Sequence, residues 1–279
     1  VPVLIRITPG VHASTHESIA TAHEDQKFGM SLQPGTAALA GLDEEELEHW
    51  GVESTDSYAA LAAAILNATD SLDFRGIHCH IGSQIFEAEG FEQAATTALE
   101  FMNRLNRDLD VTLPELDLGG GYGVRYTAED EAIDIPARLA ELAAYLKEET
   151  ERLGLPMPRF LMEPGRSIVA DAGMTLYTVG SVKRIPGYKQ YAAVDGGMTD
   201  NPRYALYQSR YTVYHAHKSG SMERFDVVGR CCESGDIIQE HVLLPGSVGR
   251  GDILAVCTTG AYNYSMASNY NRLPRPPIV

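Results

Sequence analysis

At 279 residues the chain holds one large domain or two of ordinary size. It is 44% hydrophobic and 22% charged, as soluble globular proteins are, and no apolar run approaches the ~20 residues that cross a bilayer. A formal net charge of −16 argues against binding nucleic-acid backbone or an anionic membrane surface. The cysteines, Cys79, Cys231, Cys232 and Cys257, form no CxxC pair and fit no zinc spacing. A reducing, cytoplasmic setting and no bound metal are therefore expected. The chain carries no signal-peptide pattern, and it opens without methionine, directly on a strand.

In chain order, residues 3–7 form an apolar strand closed by Thr8-Pro9-Gly10. Residues 11–35 read as irregular and polar, with Glu24-Asp25-Gln26-Lys27-Phe28-Gly29-Met30 embedded. An acidic helix is expected over 42–50, and Thr55-Asp56-Ser57 caps an alanine-rich helix over 58–68. A buried strand over 74–81 ends in Gly82-Ser83, followed by helical periodicity over 91–109. The strand 114–118 runs into Gly119-Gly120-Gly121. A long amphipathic helix over 135–153 precedes the strand 159–162, which delivers Glu163-Pro164-Gly165-Arg166.

Four strands alternating with helices imply a parallel sheet covered by helices. Its strand ends, at Thr8, His80/Ser83, Gly119–Gly121 and Glu163/Arg166, are expected to face one site. Four strands cannot close a barrel of eight. The abrupt start favours a truncated barrel over an open four-stranded sheet. Beyond residue 173 the pattern becomes β-rich, with segments at 175–179, 191–194, 211–214, 225–228, 237–244 and 253–257. The expected class is thus α/β: the C-terminal part of a (β/α)8 barrel over 1–172, then an all-β domain over 173–279. A helix over 261–270 is expected to return toward the active site.

Several residues could carry chemistry. Gly119-Gly120-Gly121 after a strand leaves backbone N–H groups to converge on an anion, although no GxGxxG and no P-loop lysine is present. His78 and His80 share a strand face, as packed core histidines, as a metal pair lacking a third ligand, or with one imidazole over a planar cofactor. Glu163 at a strand end needs a partner if buried, a ring N–H or Arg166. Cys231-Cys232-Glu233-Ser234-Gly235-Asp236 places thiols beside carboxylates, which suits a proton donor better than a resting thiolate. The tyrosines are dense in the second half, mostly as packing, with a few hydroxyls available to a ligand.

Taken together, His78-Cys79-His80-Ile81-Gly82-Ser83-Gln84, Gly119-Gly120-Gly121, Glu163-Pro164-Gly165-Arg166, Cys232-Glu233-Ser234 and Gly260-Ala261-Tyr262 resemble, in order, the diaminopimelate decarboxylase family. That family belongs to the alanine-racemase-like group of pyridoxal-phosphate enzymes, and the resemblance spans the chain from Arg6 to Pro277. It implies a (β/α)8 barrel, a β domain and a homodimer with a shared active site. It also implies decarboxylation of meso-2,6-diaminopimelate to L-lysine on pyridoxal 5'-phosphate. Cofactor contacts would fall to His80 over the ring and to Glu163 at the pyridine nitrogen. Ser83, Gly119, Gly120, Gly121, Gly165, Arg166 and Tyr262 would also contact the cofactor, mostly at its phosphate. Arg166, Arg203, Tyr207, Glu233 and Tyr262 would bind substrate, with Cys232 as the proton donor and His80 and Glu163 also counted as catalytic. Cys-Glu-Ser, rather than an aspartate after the cysteine, favours diaminopimelate over ornithine.

The sequence also departs from the family. Its Schiff-base lysine has no counterpart among Lys27, Lys147, Lys183, Lys189 and Lys218, so the chain alone is expected to be inactive. Residues 34–54 form a longer, more acidic connection, and Arg230-Cys231 replaces the commoner lead into the cysteine. An ornithine- or arginine-type decarboxylase of the same group, or a non-catalytic regulatory relative, are the alternatives.

Overall fold

The computed structural model describes residues 1–11 and 26–279. Part of the irregular run expected over 11–35, including Glu24 and Asp25, lies outside the described residues. The chain divides into two compact units, Val1–Gly123 with Ile133–Pro164, and Val124–Ala132 with Gly165–Val279.

The first unit is a parallel sheet with helical crossovers. Its strands are β1 (Pro2–Thr8), β2 (Met30–Ser31), β3 (Asp73–His78), β4 (Glu115–Asp117) and β5 (Arg159–Leu161), ordered β2-β1-β3-β4-β5. The two-residue β2 was not expected, so the described residues form five strands rather than four. Gly29 makes it possible: its φ is +77° and a Cβ there would meet the Ile7 carbonyl carbon at 2.7 Å. The helices follow their caps. In α1 (Glu44–His49) Asp43 and Glu46 form a capping box, and Ser57 caps α2 (Tyr58–Asn67). The crossover α3 spans Glu89–Asp108. In α4 (Ile135–Leu153) the Asp134 carboxylate accepts from the Ala137 N–H, and Gly154 ends the helix at φ 68°. Ile5, Ile77 and Leu116 of the sheet pack with Phe91, Leu99 and Leu146 of α3 and α4 in one core.

The second unit begins earlier than residue 173. The short helix α5 (Arg166–Val169) belongs to it, and so does Val124–Ala132, because Val124, Tyr126 and Ala170 lie in its core. The Tyr126 carbonyl also accepts from the Thr212 N–H and hydroxyl at 3.2 and 2.8 Å. Its strands are β6 (Thr175–Ile185), β7 (Lys189–Val194), β8 (Val213–His215), β9 (Met222–Val228), β10 (Ile237–Pro245) and β11 (Ile253–Val256), with a short helix α6 (Arg203–Tyr207) before β8. They form one sheet in the order β10-β9-β7-β6-β11-β8, antiparallel except between β7 and β9. The helix expected over 261–270 is replaced by two 3-10 turns, Tyr264–Met266 and Tyr270–Arg272. Tyr262 at φ 64° and the extended Ala267 interrupt any continuous α-helix there. Among the described residues no helix is long and apolar enough to cross a membrane.

Gly76 shows how closely β3 and β4 approach: it pairs with Glu115, and a Cβ would lie 1.8 Å from the Glu115 carbonyl oxygen. Gly76→Ala is expected to force these strands apart and cost about 1–3 kcal/mol. The measurement is the urea unfolding midpoint, and a wild-type midpoint would show that the contact relaxes freely.

Candidate active site

The strand ends of the first unit bring a compact polar group together. Arg6, His78 and Asp117 are neighbours in register across β1, β3 and β4, and Leu161 of β5 continues the row. Two residues beyond Leu161, on the same side by strand alternation, stands Glu163. Ligating atoms of His78, Asp117 and Glu163 all lie within 4.8 Å of one another. His78 Nε2 is 3.4 Å from Glu163 Oε2, while the buried Asp117 accepts from the Gly119 N–H at 2.8 Å. Glu163 is 57% exposed at its side chain and so bears no large burial cost. Burial first, and the charge of Glu163 next among the raising influences, push the Asp117 carboxyl up, while the Gly119 amide opposes them.

The glycine run is held from three sides. A Cβ on Gly119 would lie 2.6 Å from His80 Nδ1, one on Gly120 would lie 2.2 Å from the Glu163 carbonyl oxygen, and one on Gly121 would lie 2.3 Å from that of Gly82. Two of the three amides are already engaged, Gly119 with Asp117 and Gly120 with His80 Nδ1 at 3.2 Å. Gly121 keeps an amide without a partner among the described residues. The Gly120 contact makes Nδ1 of His80 an acceptor, which leaves its proton on Nε2. Burial, Arg6 and His78 lower the His80 pKa, with Glu163 opposing. Ser83 is half-buried just beyond Gly82, at φ 142°, ahead of Gln84 at φ 59°. Thr8, the fourth expected strand end, instead donates its hydroxyl to the Phe28 carbonyl at 2.8 Å.

The second unit gathers arginines among tyrosines. Arg166 and Arg203 are 6% and 4% exposed. Arg166 Nη1 donates to the Tyr126 hydroxyl, and its guanidinium lies 4.6 Å from the Tyr262 ring centroid. Arg203 lies over the Tyr126 ring at 5.3 Å and the Tyr207 ring at 5.7 Å. One of its Nη atoms donates to Ser209 at 3.1 Å, but its buried Nε has no partner. Gly165 lies beside Tyr262, whose hydroxyl would be 3.4 Å from a Cβ at that position. Gly260 abuts the Val169 carbonyl, where a Cβ would come within 1.8 Å, and this backbone crossing aligns Ala261 and Tyr262 with α5.

Cys232 and Glu233 are exposed on the turn before β10. The buried Asp236 carboxylate pins that turn by accepting from Met198 and Cys231 N–H groups at 2.6 and 2.7 Å. Glu233 accepts from the Tyr270 hydroxyl at 3.4 Å. Burial and Asp236 push the Cys231 thiol up. The sequence reading passed over Asp117 and Tyr126. A polar residue between Leu116 and Leu118 in a buried strand was a usable signal for Asp117, whereas Tyr126 lies outside every motif and carried none.

Residues 1–54 and 44–170 match the family described as pyridoxal-dependent decarboxylase, pyridoxal binding domain. Residues 110–260 match that described as pyridoxal-dependent decarboxylase, C-terminal sheet domain. The chain belongs to the pyridoxal-dependent decarboxylases. Within that family it is 43% identical to a diaminopimelate decarboxylase of Bacillus subtilis (strain 168), over 100% of this chain and 59% of that protein. With the Corynebacterium efficiens diaminopimelate decarboxylase it shares 42% identity, over 100% of this chain and 57% of the relative. The chain thus spans less than two thirds of the curated relatives it matches. The Helicobacter pylori diaminopimelate decarboxylase complexed with L-lysine superposes with a TM-score of 0.77 at 30% identity, over 99% of this chain and 60% of that one. The architecture of this pyridoxal-dependent decarboxylase is a barrel-like parallel sheet and a separate β domain.

The first unit fits the family's cofactor. Its glycine cradle admits no Cβ and leaves one amide for an anion, while a neutral imidazole and an exposed carboxylate stand beside it. With its pKa lowered, His80 contributes stability that is fully present above pH 6.5 and is lost as pH falls through the folded value. NMR titration is expected to place the His80 midpoint below 6.5, and Arg6→Leu to raise it. A wild-type midpoint at or above 6.5 would contradict this electrostatic picture.

Proposed function

We propose that the protein serves the decarboxylation of meso-2,6-diaminopimelate to L-lysine and CO2, in the cytoplasm, with pyridoxal 5'-phosphate. The observation that carries the substrate reading is Arg203: a buried guanidinium whose Nε lacks a partner, set among tyrosines, is suited to a carboxylate. Identity of 39–43% with diaminopimelate decarboxylases supports the same reading.

Pyridoxal phosphate, when bound, supplies an electron sink for the pair left behind as CO2 departs. The chain's own residues would bind and orient. Glu163 would hold a proton at the pyridine nitrogen, and the neutral His80 imidazole would stand beside the ring. Gly119, Gly120 and Gly121 shape the phosphate cradle, with the free amide at Gly121. Ser83 adds a hydroxyl there, Gly165 open backbone, and Arg166 and Tyr262 further contacts. Arg166, Arg203 and Tyr207 receive the substrate carboxylate that is retained in L-lysine, with Tyr262 alongside. Glu233 faces the distal ammonium. Cys232 donates a proton to the carbon that lost CO2, and we assign it to the site of a neighbouring subunit in a homodimer.

Four of the five lysines are engaged elsewhere. Lys27 lies over the Phe28 ring, Lys147 faces Glu151, Lys189 pairs with Asp226 and Glu240, and Lys218 pairs with Asp252. Lys183 lies on β6 in register with Tyr191. The 279-residue chain with added pyridoxal phosphate is therefore expected to release no CO2 from meso-diaminopimelate above background. Robust turnover would refute that assignment. By calorimetry, the chain should prefer meso-diaminopimelate to ornithine and arginine, and Arg203→Met should weaken its binding at least about tenfold. Preference for ornithine or arginine would overturn the substrate choice.

A further inference from the structure

Tyr126 is tied down at every polar atom. Its N–H donates to Asp130 Oδ2 at 2.9 Å, and its carbonyl accepts twice from Thr212. The ring meets Tyr211 edge-on, with centroids 5.3 Å apart at 86°. The hydroxyl accepts from Arg166 Nη1, and the ring face carries Arg203 at 5.3 Å. One side chain thus meets one guanidinium through its oxygen and, at 5.9 Å, its ring, and the other through its ring alone. Two buried like charges repel, and their separation has to be set by something rigid. A tyrosine anchored at its backbone and braced by a second ring is such a spacer. Core packing alone explains the Tyr211 contact but does not require the hydroxyl to meet Arg166.

We infer that Tyr126 is a specificity-determining positioning residue, which holds Arg166 and Arg203 at the spacing that receives the substrate's retained carboxylate. This rests on the carboxylate reading of Arg166 and Arg203 proposed above. It predicts that the Tyr126 hydroxyl affects ligands bearing that carboxylate and spares those without it. L-lysine and cadaverine are the matched probes, since they share the diamine chain and differ by one carboxylate.

The test is calorimetric binding of both probes to the pyridoxal-phosphate-supplemented chain, with thermal midpoints measured alongside. Wild type is expected to prefer L-lysine. Tyr126→Phe keeps the ring and the fold, and should cut L-lysine affinity about tenfold while cadaverine stays within twofold. Tyr126→Leu, which also removes the face shared by Arg166 and Arg203, should cut it further. An unaltered L-lysine to cadaverine ratio in Tyr126→Phe, or an equal loss of both probes, would overturn the role of Tyr126 alone. No wild-type preference for L-lysine would instead overturn the carboxylate reading, and this inference with it.

Discussion

The first unit depends on a place where no side chain fits. Gly119, Gly120 and Gly121 pass within van der Waals reach of His80, Glu163 and Gly82, and any Cβ would push the strand ends apart. Because the backbones close up there, the Asp117 carboxylate reaches the Gly119 amide and His80 reaches that of Gly120. The second of those contacts orients His80, which we propose meets the cofactor. The glycine run is therefore first a packing solution. Its capacity for an anion is what remains, one amide at Gly121, narrower than a run of three free donors.

Electrostatics divide the work differently in each unit. In the first, two carboxylates and an imidazole crowd together, and burial raises Asp117 while lowering His80. Both shifts favour neutral forms, as expected where solvent is scarce. In the second, two arginines are buried, at 6% and 4% exposed. Tyrosine faces and hydroxyls partly replace the lost water for Arg166 and Arg203, and the partnerless Arg203 Nε marks where that replacement is incomplete. A group left in that condition costs stability and is suited to an incoming anion.

Much of the fold was legible because local chemistry and tertiary packing agree. Asp134, Pro136 and Gly154 mark both ends of α4, and Ser57 marks the start of α2. The β-rich second half follows its runs of branched and aromatic residues. Elements held by tertiary contacts were not legible: β2 has two residues, and α5 and α6 have four and five. Such lengths carry no periodicity to detect. The reach of Val124–Ala132 into the second unit was equally hidden, because it depends on Thr212 and on a core supplied by distant strands.

From its sequence alone the chain declared its class, the order of its longer strands and helices, and the motifs that carry a family resemblance. These are properties of neighbours along the chain: caps, periods, turns and short fixed strings. Tertiary structure alone decided that Glu163 faces His78 and that two of three glycine amides are engaged. It also decided that Tyr126 stands between two buried arginines. Apart from the local contact of Gly119 with Asp117, each of those depends on groups about 40 to 85 residues apart, brought together by strand register and close backbone crossings. No local pattern encodes such meetings, because they exist only once the sheet has set which residues lie side by side.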